Sequence, residues 1–309
     1  MSFEHMHIIS MKEFTRDMID HVLEVAEEME PIARSKSSSD LLKGKVLGVL
    51  FFEPSTRTRM SFEAAMMRLG GEVLSLGSVD ASSVAKGETL ADTIRVVAGY
   101  SNAIVLRHPM EGAARLASEF SAVPILNAGD GAGHHPTQTF LDLYTIKRES
   151  HLEGLKVALA GDLKYGRTVH SLCYALSLYG AEITLVSPPE LSMPSEIIED
   201  LKKKNIKVIE ESSIEDAIQD VEVLYMTRIQ KERFPDPAEY QKVANRLQIT
   251  PEVLKNAKKN LRIMHPLPRT NEITPQVDKT AHASYFDQSF YGVPIRMALL
   301  CLVMGCLNE

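Results

Sequence analysis

The sequence predicts an α/β protein of two doubly wound domains, each with a central parallel sheet flanked by helices. Three observations carry that reading. Nine short apolar runs rich in strand-forming residues recur along the chain. Stretches with helical spacing separate most of them, and strands that alternate with helices imply parallel sheets covered on both faces. Nine strands exceed what one small sheet usually holds, and 309 residues with 44% hydrophobic and 24% charged content fit about two ordinary globular domains.

The elements follow in order. Met18, Ile19, Val22, Leu23, Ala26 and Met29 repeat at helical spacing, so a helix is predicted within 11–34, ended by the polar run Ser35–Asp40. The strand runs are 45–52, 72–76, 103–106, 124–126, 156–160, 182–186, 207–210, 221–226 and 261–264. Helical spacing marks 60–69, 89–98, 137–146 and 168–178. The polar stretch 147–155 follows a long helix and marks a domain boundary, placed between 1–148 and 149–288. The apolar stretch Met297–Leu307 predicts a buried helix; it is too short to span a bilayer and Arg296 flanks it, so no membrane partner is expected.

Composition excludes several classes. There are 34 Lys+Arg against 41 Asp+Glu, a net charge of -7, which argues against a nucleic-acid partner. An anionic ligand therefore needs positive charge gathered in one place. The three cysteines, Cys173, Cys301 and Cys306, form no C-x-x-C pair, so neither a disulfide framework nor a structural zinc site is expected and a reducing cytoplasm is the simplest home. Residues 1–30 are studded with Glu, Asp and His and do not read as a secretory leader.

In open α/β sheets ligands bind beyond the carboxyl ends of the strands. After the first strand comes Glu53-Pro-Ser-Thr-Arg-Thr-Arg59, with Pro54 as a strand stop and Ser55 and Thr56 as cap-type residues before a helix. Three hydroxyls, with Arg57 and Arg59 among them, at a helix start form a receptor for a phosphate-type anion. No G-x-x-x-x-G-K-[ST] is present, so this is not a nucleotide P-loop. The loop 78–87 holds Ser82, Ser83 and Lys86 and reads as either a lid or a plain surface turn. Arg107 follows the third strand and points into the crevice.

After the fourth strand the Gly-rich segment 127–138 lacks the G-x-G-x-x-G spacing of a dinucleotide loop. His135 and Gln138 lie three apart at a helix start, placed to hydrogen-bond one carbonyl; a histidine satisfied by backbone is the plainer alternative. In the second half Arg167 sits at a helix start, Arg228 and Gln230 alternate onto one side, and Lys231–Arg233 read as a solvated charge run. His265-Pro-Leu-Pro268 is a stiff loop suited to presenting carbonyl oxygens to an amine. Two arginines suit a substrate with two carboxylates. With no metal cluster, Ser-His-Asp set or nucleophilic cysteine in view, no cofactor or metal is expected, and catalysis by positioning and charge stabilisation is favoured.

These segments resemble the transcarbamoylase family. The carrying motifs are Phe-Phe-Glu-Pro-Ser-Thr-Arg-Thr-Arg (51–59), Lys-Gly-Glu-Thr-Leu-Ala-Asp-Thr (86–93), Arg-His-Pro (107–109), His-Pro-Thr-Gln (135–138), Gly-Asp-Leu-Lys-Tyr-Gly-Arg-Thr-Val-His-Ser (161–171), Tyr-Met-Thr-Arg-Ile-Gln-Lys-Glu-Arg (225–233) and His-Pro-Leu-Pro-Arg (265–269). The resemblance implies carbamoyl transfer from carbamoyl phosphate to the α-amine of L-aspartate, a step of pyrimidine biosynthesis. It implies that carbamoyl phosphate is held by Ser55, Thr56, Arg57, Thr58, Arg107, His135 and Gln138. Ser82 and Lys86 would reach into the site of a neighbouring subunit in a homotrimer with shared sites. Arg167, Arg228, Gln230 and Lys86 would hold aspartate, with backbone carbonyls from Leu267 and Pro268. The implied catalytic set is Arg57, Thr58, Lys86, Arg107 and His135. A C-terminal helix, 289–309, would return to the first, carbamoyl-phosphate-binding domain, and a separate regulatory chain is left open.

An ornithine-using or related member is the alternative. Such members typically carry His-Cys-Leu-Pro where this chain has His265-Pro266-Leu267-Pro268. Ornithine's cationic side chain would also be repelled by paired arginines. One small departure from some relatives is Ala85 beside Lys86, where a second basic residue stands.

Overall fold

The computed structural model describes residues 3–35, 37–77, 83–229 and 247–307. The chain divides into two compact units, Met1–Tyr144 with Phe290–Glu309, and Thr145–Ser289.

The first unit is built on a parallel sheet of four strands in the order β2-β1-β3-β4. These are β1 (Val46–Phe51), β2 (Glu72–Ser75), β3 (Ala103–His108) and β4 (Ile125–Asp130). The order reverses between β1 and β3, where Phe51 pairs with Arg107, so the segments leaving these two strands lie side by side. Helices α1 (Arg16–Arg34), α2 (Thr56–Arg68), α3 (Leu90–Ala98), α4 (Ala113–Phe120) and α5 (Pro136–Glu149) follow the chain, the last crossing into the second unit.

Helix α1 begins where the Thr15 side chain accepts from the Met18 N–H and ends at Ser35, whose backbone turns extended. It buries Ile19, Val22, Leu23, Ala26 and Met29 of the predicted face and leaves Met18 half-buried. Each of the larger side chains among them contributes about 1.5–3 kcal/mol when fully buried. The first-unit core includes Leu50, Ile94, Ile104, Leu106 and Ile125.

The second unit holds a five-stranded parallel sheet in the order β7-β6-β5-β8-β9. Its strands are β5 (Lys156–Ala160), β6 (Glu182–Val186), β7 (Val208–Glu211), β8 (Val223–Met226) and β9 (Arg262–Met264). The reversal falls between β5 and β8, where Ala160 pairs with Met226. Helices α6 (Arg167–Ser177), α7 (Ser195–Lys203) and α8 (Ile214–Ala217) intervene. Ala158, Leu224, Met226, Ile249 and Ile263 share one core cluster.

The last helix, α9 (Tyr285–Val303), returns to the first unit, where the Tyr291 ring meets Tyr144 edge-on at 5.4 Å. No helix among the described residues is long and apolar enough to cross a membrane.

Several expectations need correction. Helix α2 starts at Thr56, so Arg57, Thr58 and Arg59 form its first turn instead of a preceding loop. Arg107 and His108 belong to β3. Strand β4 runs on through Asn127–Asp130 because the Asn127 amide donates to Ile9 O at 3.0 Å and its Oδ1 accepts from the Gly129 N–H at 2.8 Å. Those polar bonds replace the apolar pattern that usually signals a strand. The buried helix expected at Met297–Leu307 begins earlier, at Tyr285, so Arg296 lies inside α9 instead of flanking it and is itself buried.

Candidate active site

In the first unit, Pro54 ends β1 and Ser55 takes the N-cap position of α2 in extended conformation, yet its hydroxyl makes no capping bond. The first N–H groups of α2 therefore stay open to an anion. Thr58 is buried, Ser55 half-buried, and Thr56 and Arg57 are exposed. Arg107 comes up alongside from β3. Its Nη1 donates to Ala128 O at 3.0 Å and its Nη2 lies 3.1 Å from Glu53 Oε2. Burial pushes the Arg107 guanidinium down from its ordinary value, and Glu53 opposes that shift. Burial also pushes Arg57 down, and the like charge of Arg107 adds to it. Two cations that repel each other beside open helix N–H groups are stabilised by an anion between them.

Arg59 is not part of this cradle. Its Nε donates to Glu63 Oε1 at 2.9 Å and its Nη2 to Ser75 Oγ at 2.8 Å, so it ties α2 to β2. His135 and Gln138 both lie buried around the start of α5, and the Gln138 Nε2 donates to Asp142 Oδ1 at 2.9 Å. Thr137 Oγ1 lies 3.4 Å from His135 Nδ1. Lys86 is exposed at the end of a short 3₁₀ turn, Ser83–Lys86. Ser82 lies outside the described residues. A separate cavity of about 350 Å3 is lined by Phe52, Leu90, His108, Met110 and Leu116 among others; no Lys or Arg lines it, so it is not the anion cradle.

The second unit repeats the arrangement at its own reversal point. Gly161 leaves β5 with φ +110°, and a Cβ there would sit 2.3 Å from Thr227 O, so only glycine allows the two strand ends this approach. Asp162 Oδ1 accepts from the Tyr165 N–H at 2.9 Å and shapes the loop into α6. Gly166 caps α6 without a side-chain bond, and Arg167 is its first residue, half-buried. Arg228, also half-buried, follows β8 across the reversal point. Gln230 and the Lys231–Arg233 run lie outside the described residues.

The loop after β9 is held more tightly than its prolines alone would do. Leu267 has φ +56°, which a branched residue adopts only when its surroundings impose it, and Leu267-Pro268 is cis. The Leu267 N–H donates to His265 Nδ1 at 2.8 Å, so His265 carries its proton on Nε2 and donates to Glu272 Oε1 at 2.8 Å. Glu272 Oε2 accepts from the Thr270 and Asn271 N–H groups at 3.0 Å each. Burial would raise the Glu272 carboxyl, but the bonds from His265 and the backbone outweigh it and hold it at about 2.

A group depressed in the folded state contributes stability above its unfolded value near 4.5, and that contribution is lost as pH falls toward 2. The Tm of the native chain should therefore fall more steeply between pH 4.5 and 2 than that of Glu272→Gln, followed by circular dichroism. An equal slope would remove Glu272 from the acid response.

Three residues of these surroundings lie outside the motifs named above: Asp142, Glu272 and Arg296. Asp142 had a signal, since it stands four residues after Gln138 on one helix face. Arg296 had one too, as a lone charge beside an apolar stretch. Among the described residues no group of three or more His, Cys, Asp or Glu is placed to hold a metal.

Comparison with known proteins agrees with this geometry. Residues 6–148 match the aspartate/ornithine carbamoyltransferase carbamoyl-P binding domain, and residues 153–303 the Asp/Orn binding domain of the same enzymes. The aspartate carbamoyltransferase catalytic subunit of Methanococcoides burtonii is 80% identical over 308 residues, covering 100% of both chains. That of Methanosarcina mazei is 67% identical with the same coverage. Among solved structures, the catalytic subunit of M. jannaschii aspartate transcarbamoylase is 58% identical, with a TM-score of 0.90 over 95% of this chain and 96% of that one. The Trypanosoma cruzi aspartate transcarbamoylase in complex with carbamoyl phosphate and aspartate is 41% identical, with a TM-score of 0.92 over 97% of each chain. The open, doubly cationic start of α2, the second anion-ready turn at α6 and these matches along both units lead to one conclusion: the chain belongs to the aspartate/ornithine carbamoyltransferase family.

Proposed function

We propose that this chain transfers the carbamoyl group of carbamoyl phosphate to the α-amine of L-aspartate, giving N-carbamoyl-L-aspartate and phosphate. The observation that carries the reading is the pair of mutually repelling guanidiniums, Arg57 and Arg107, beside the uncapped start of α2. It is what a phosphate dianion needs, and aspartate-using relatives at 80% and 67% identity support the acceptor. Ornithine as acceptor is disfavoured by the arginines Arg167 and Arg228.

Each residue takes a role. Ser55, Thr56, Arg57, Thr58 and Arg107 bind the phosphate, with Lys86 and Ser82 supplied by a neighbouring subunit of a homotrimer. His135 and Gln138 address the carbamoyl group. Arg167, Arg228 and Gln230 pair with the two carboxylates of aspartate, and the Leu267 and Pro268 carbonyls accept from its amine. The neutral amine attacks the carbamoyl carbon, and Arg107, His135 and Thr58 stabilise the oxyanion of the tetrahedral intermediate. The carbon–oxygen bond to phosphate then breaks. The phosphate departs with its charge paired to Arg57 and Lys86 and takes the amine's proton, so no protein base is required.

We further propose donor binding by domain 1–148 with helix 289–309, acceptor binding by domain 149–288, a cytoplasmic location and a place in pyrimidine synthesis. The relatives' designation as catalytic subunits supports a separate regulatory chain. Native mass measurement separates a bare trimer from a mixed assembly.

The direct test incubates the purified protein with carbamoyl phosphate and either aspartate or ornithine. Carbamoyl aspartate is expected; carbamoyl ornithine alone would reassign the acceptor. Because only the neutral amine attacks and amino groups titrate above pH 7, the rate under chemistry-limited conditions should rise from pH 6 to about 9. A flat profile would contradict amine attack as written.

A further inference from the structure

We propose that His265 and Glu272 are positioning residues for the acceptor: they hold Leu267 in its left-handed turn and so aim its carbonyl oxygen at the acceptor's amine. The inference rests on the reading of that carbonyl as a partner of the aspartate amine, and goes beyond it by naming what sets its direction.

The loop starts beside the acceptor arginines. Tyr225 pairs with Met264 in register, so the chain leaves β9 next to the segment that leads from β8 to Arg228. Leu267 is half-buried and Pro268 exposed, so this stretch of backbone lies at the surface of the unit. A leucine at φ +56° is disfavoured on its own, because the left-handed region crowds Cβ against the following carbonyl oxygen. Bonds hold it there. The Leu267 N–H donates to His265 Nδ1 at 2.8 Å. The His265 ring is kept from turning by its Nε2, which donates to Glu272 Oε1 at 2.8 Å. The His265 backbone N–H donates to Gln288 Oε1 at 2.7 Å and fixes the start of the loop. Glu272 is fixed in turn: its Oε2 accepts from the Thr270 hydroxyl at 2.9 Å and from the Thr270 and Asn271 N–H groups. His265 is 1% exposed and Glu272 4%, so water does not compete for these bonds.

A polar chain buried this deeply seldom stabilises a fold more than apolar residues of the same volume would, whereas a fully bonded one fixes direction. The bond from the Leu267 N–H sets one peptide plane, and φ at Leu267 carries that setting to the next carbonyl. A donor meets a carbonyl best near the plane of its lone pairs. Turning that carbonyl therefore weakens the contact with the amine and leaves the two carboxylate contacts as they were.

The test separates the amine from the carboxylates. Succinate is the dicarboxylate frame of aspartate without the amine. Steady-state kinetics with aspartate and inhibition by succinate are compared in the native, His265→Asn, His265→Gln and Thr270→Val proteins. Asparagine places its amide oxygen where Nδ1 stood and still accepts from Leu267; glutamine reaches Glu272 but not Leu267. His265→Gln should lower kcat/KM for aspartate about tenfold while the succinate inhibition constant changes less than about twofold. His265→Asn should recover most of that loss. Thr270→Val, which loosens Glu272, should lose about threefold with aspartate and leave succinate unchanged. Equal losses for aspartate and succinate, no loss for either, or a His265→Asn protein as poor as His265→Gln would reduce the pair to closing the loop and overturn the proposal. If melting curves show that the His265 variants do not fold, Thr270→Val decides alone, because that side chain is exposed and its removal disturbs no core. If the native protein does not carbamoylate aspartate, the proposed function falls as well; if it does and the ratio of aspartate to succinate effects stays fixed, only the positioning role falls.

Discussion

Arg57→Ala is expected to lower turnover by about three orders of magnitude while the fold survives. The guanidinium sits in the first turn of α2 and is exposed, so its removal opens no cavity in the core. Alanine is also a better helix former than arginine at that position. On the proposed mechanism, what disappears is the fork that takes up charge as the carbon–oxygen bond to phosphate breaks. That charge grows along the reaction, so the loss falls mainly on kcat and less on the apparent affinity for carbamoyl phosphate. Arg57→Lys restores the charge but not the two-pronged geometry, and recovers only a small part. Steady-state kinetics with a melting curve for each variant checks this. Turnover within tenfold of native would remove Arg57 from charge stabilisation.

The parts legible in the sequence were those where chemistry and local structure coincide. The run 51–59 combines a strand stop, cap-type hydroxyls and two arginines within one turn, so a strand end, a helix start and a gathering of positive charge are all legible there. What spacing could not reveal was which arginine the fold ties elsewhere. Arg59 looks equal to Arg57 along the chain, and only the fold brings Glu63 and Ser75 to it. The inner strand runs were readable because parallel strands covered on both faces must be apolar, whereas the edge strands β2 and β7 stay partly exposed. Strand β4 overran its prediction because Asn127 supplies by side-chain bonds what apolar residues supply elsewhere. The His265–Glu272 link was hidden for a different reason. Its partners are seven residues apart, joined by a loop whose shape depends on the link itself.

Arg228→Ala is expected to lower kcat/KM for aspartate by about two to three orders of magnitude and to leave carbamoyl phosphate binding within about twofold. A charged hydrogen bond contributes about 1.5–3 kcal/mol, and a guanidinium that grips a carboxylate makes two. The argument for locality is topological. Arg228 follows β8 at the reversal point of the five-stranded sheet, whereas Arg57 and Arg107 flank the reversal point of the four-stranded one. Each unit organises its own cationic turn around its own sheet, so removing Arg228 disturbs the acceptor and spares the donor. The same change withdraws one of the two charges that repel a cationic acceptor. Carbamoylation of ornithine should therefore lose less than that of aspartate, although Arg167 still opposes it. Kinetics with both amino acids, alongside calorimetric binding of carbamoyl phosphate alone, separates these effects. If donor and acceptor affinities fall together, Arg228 does not belong to a self-contained aspartate site, and the division of labour between the two sheets is wrong.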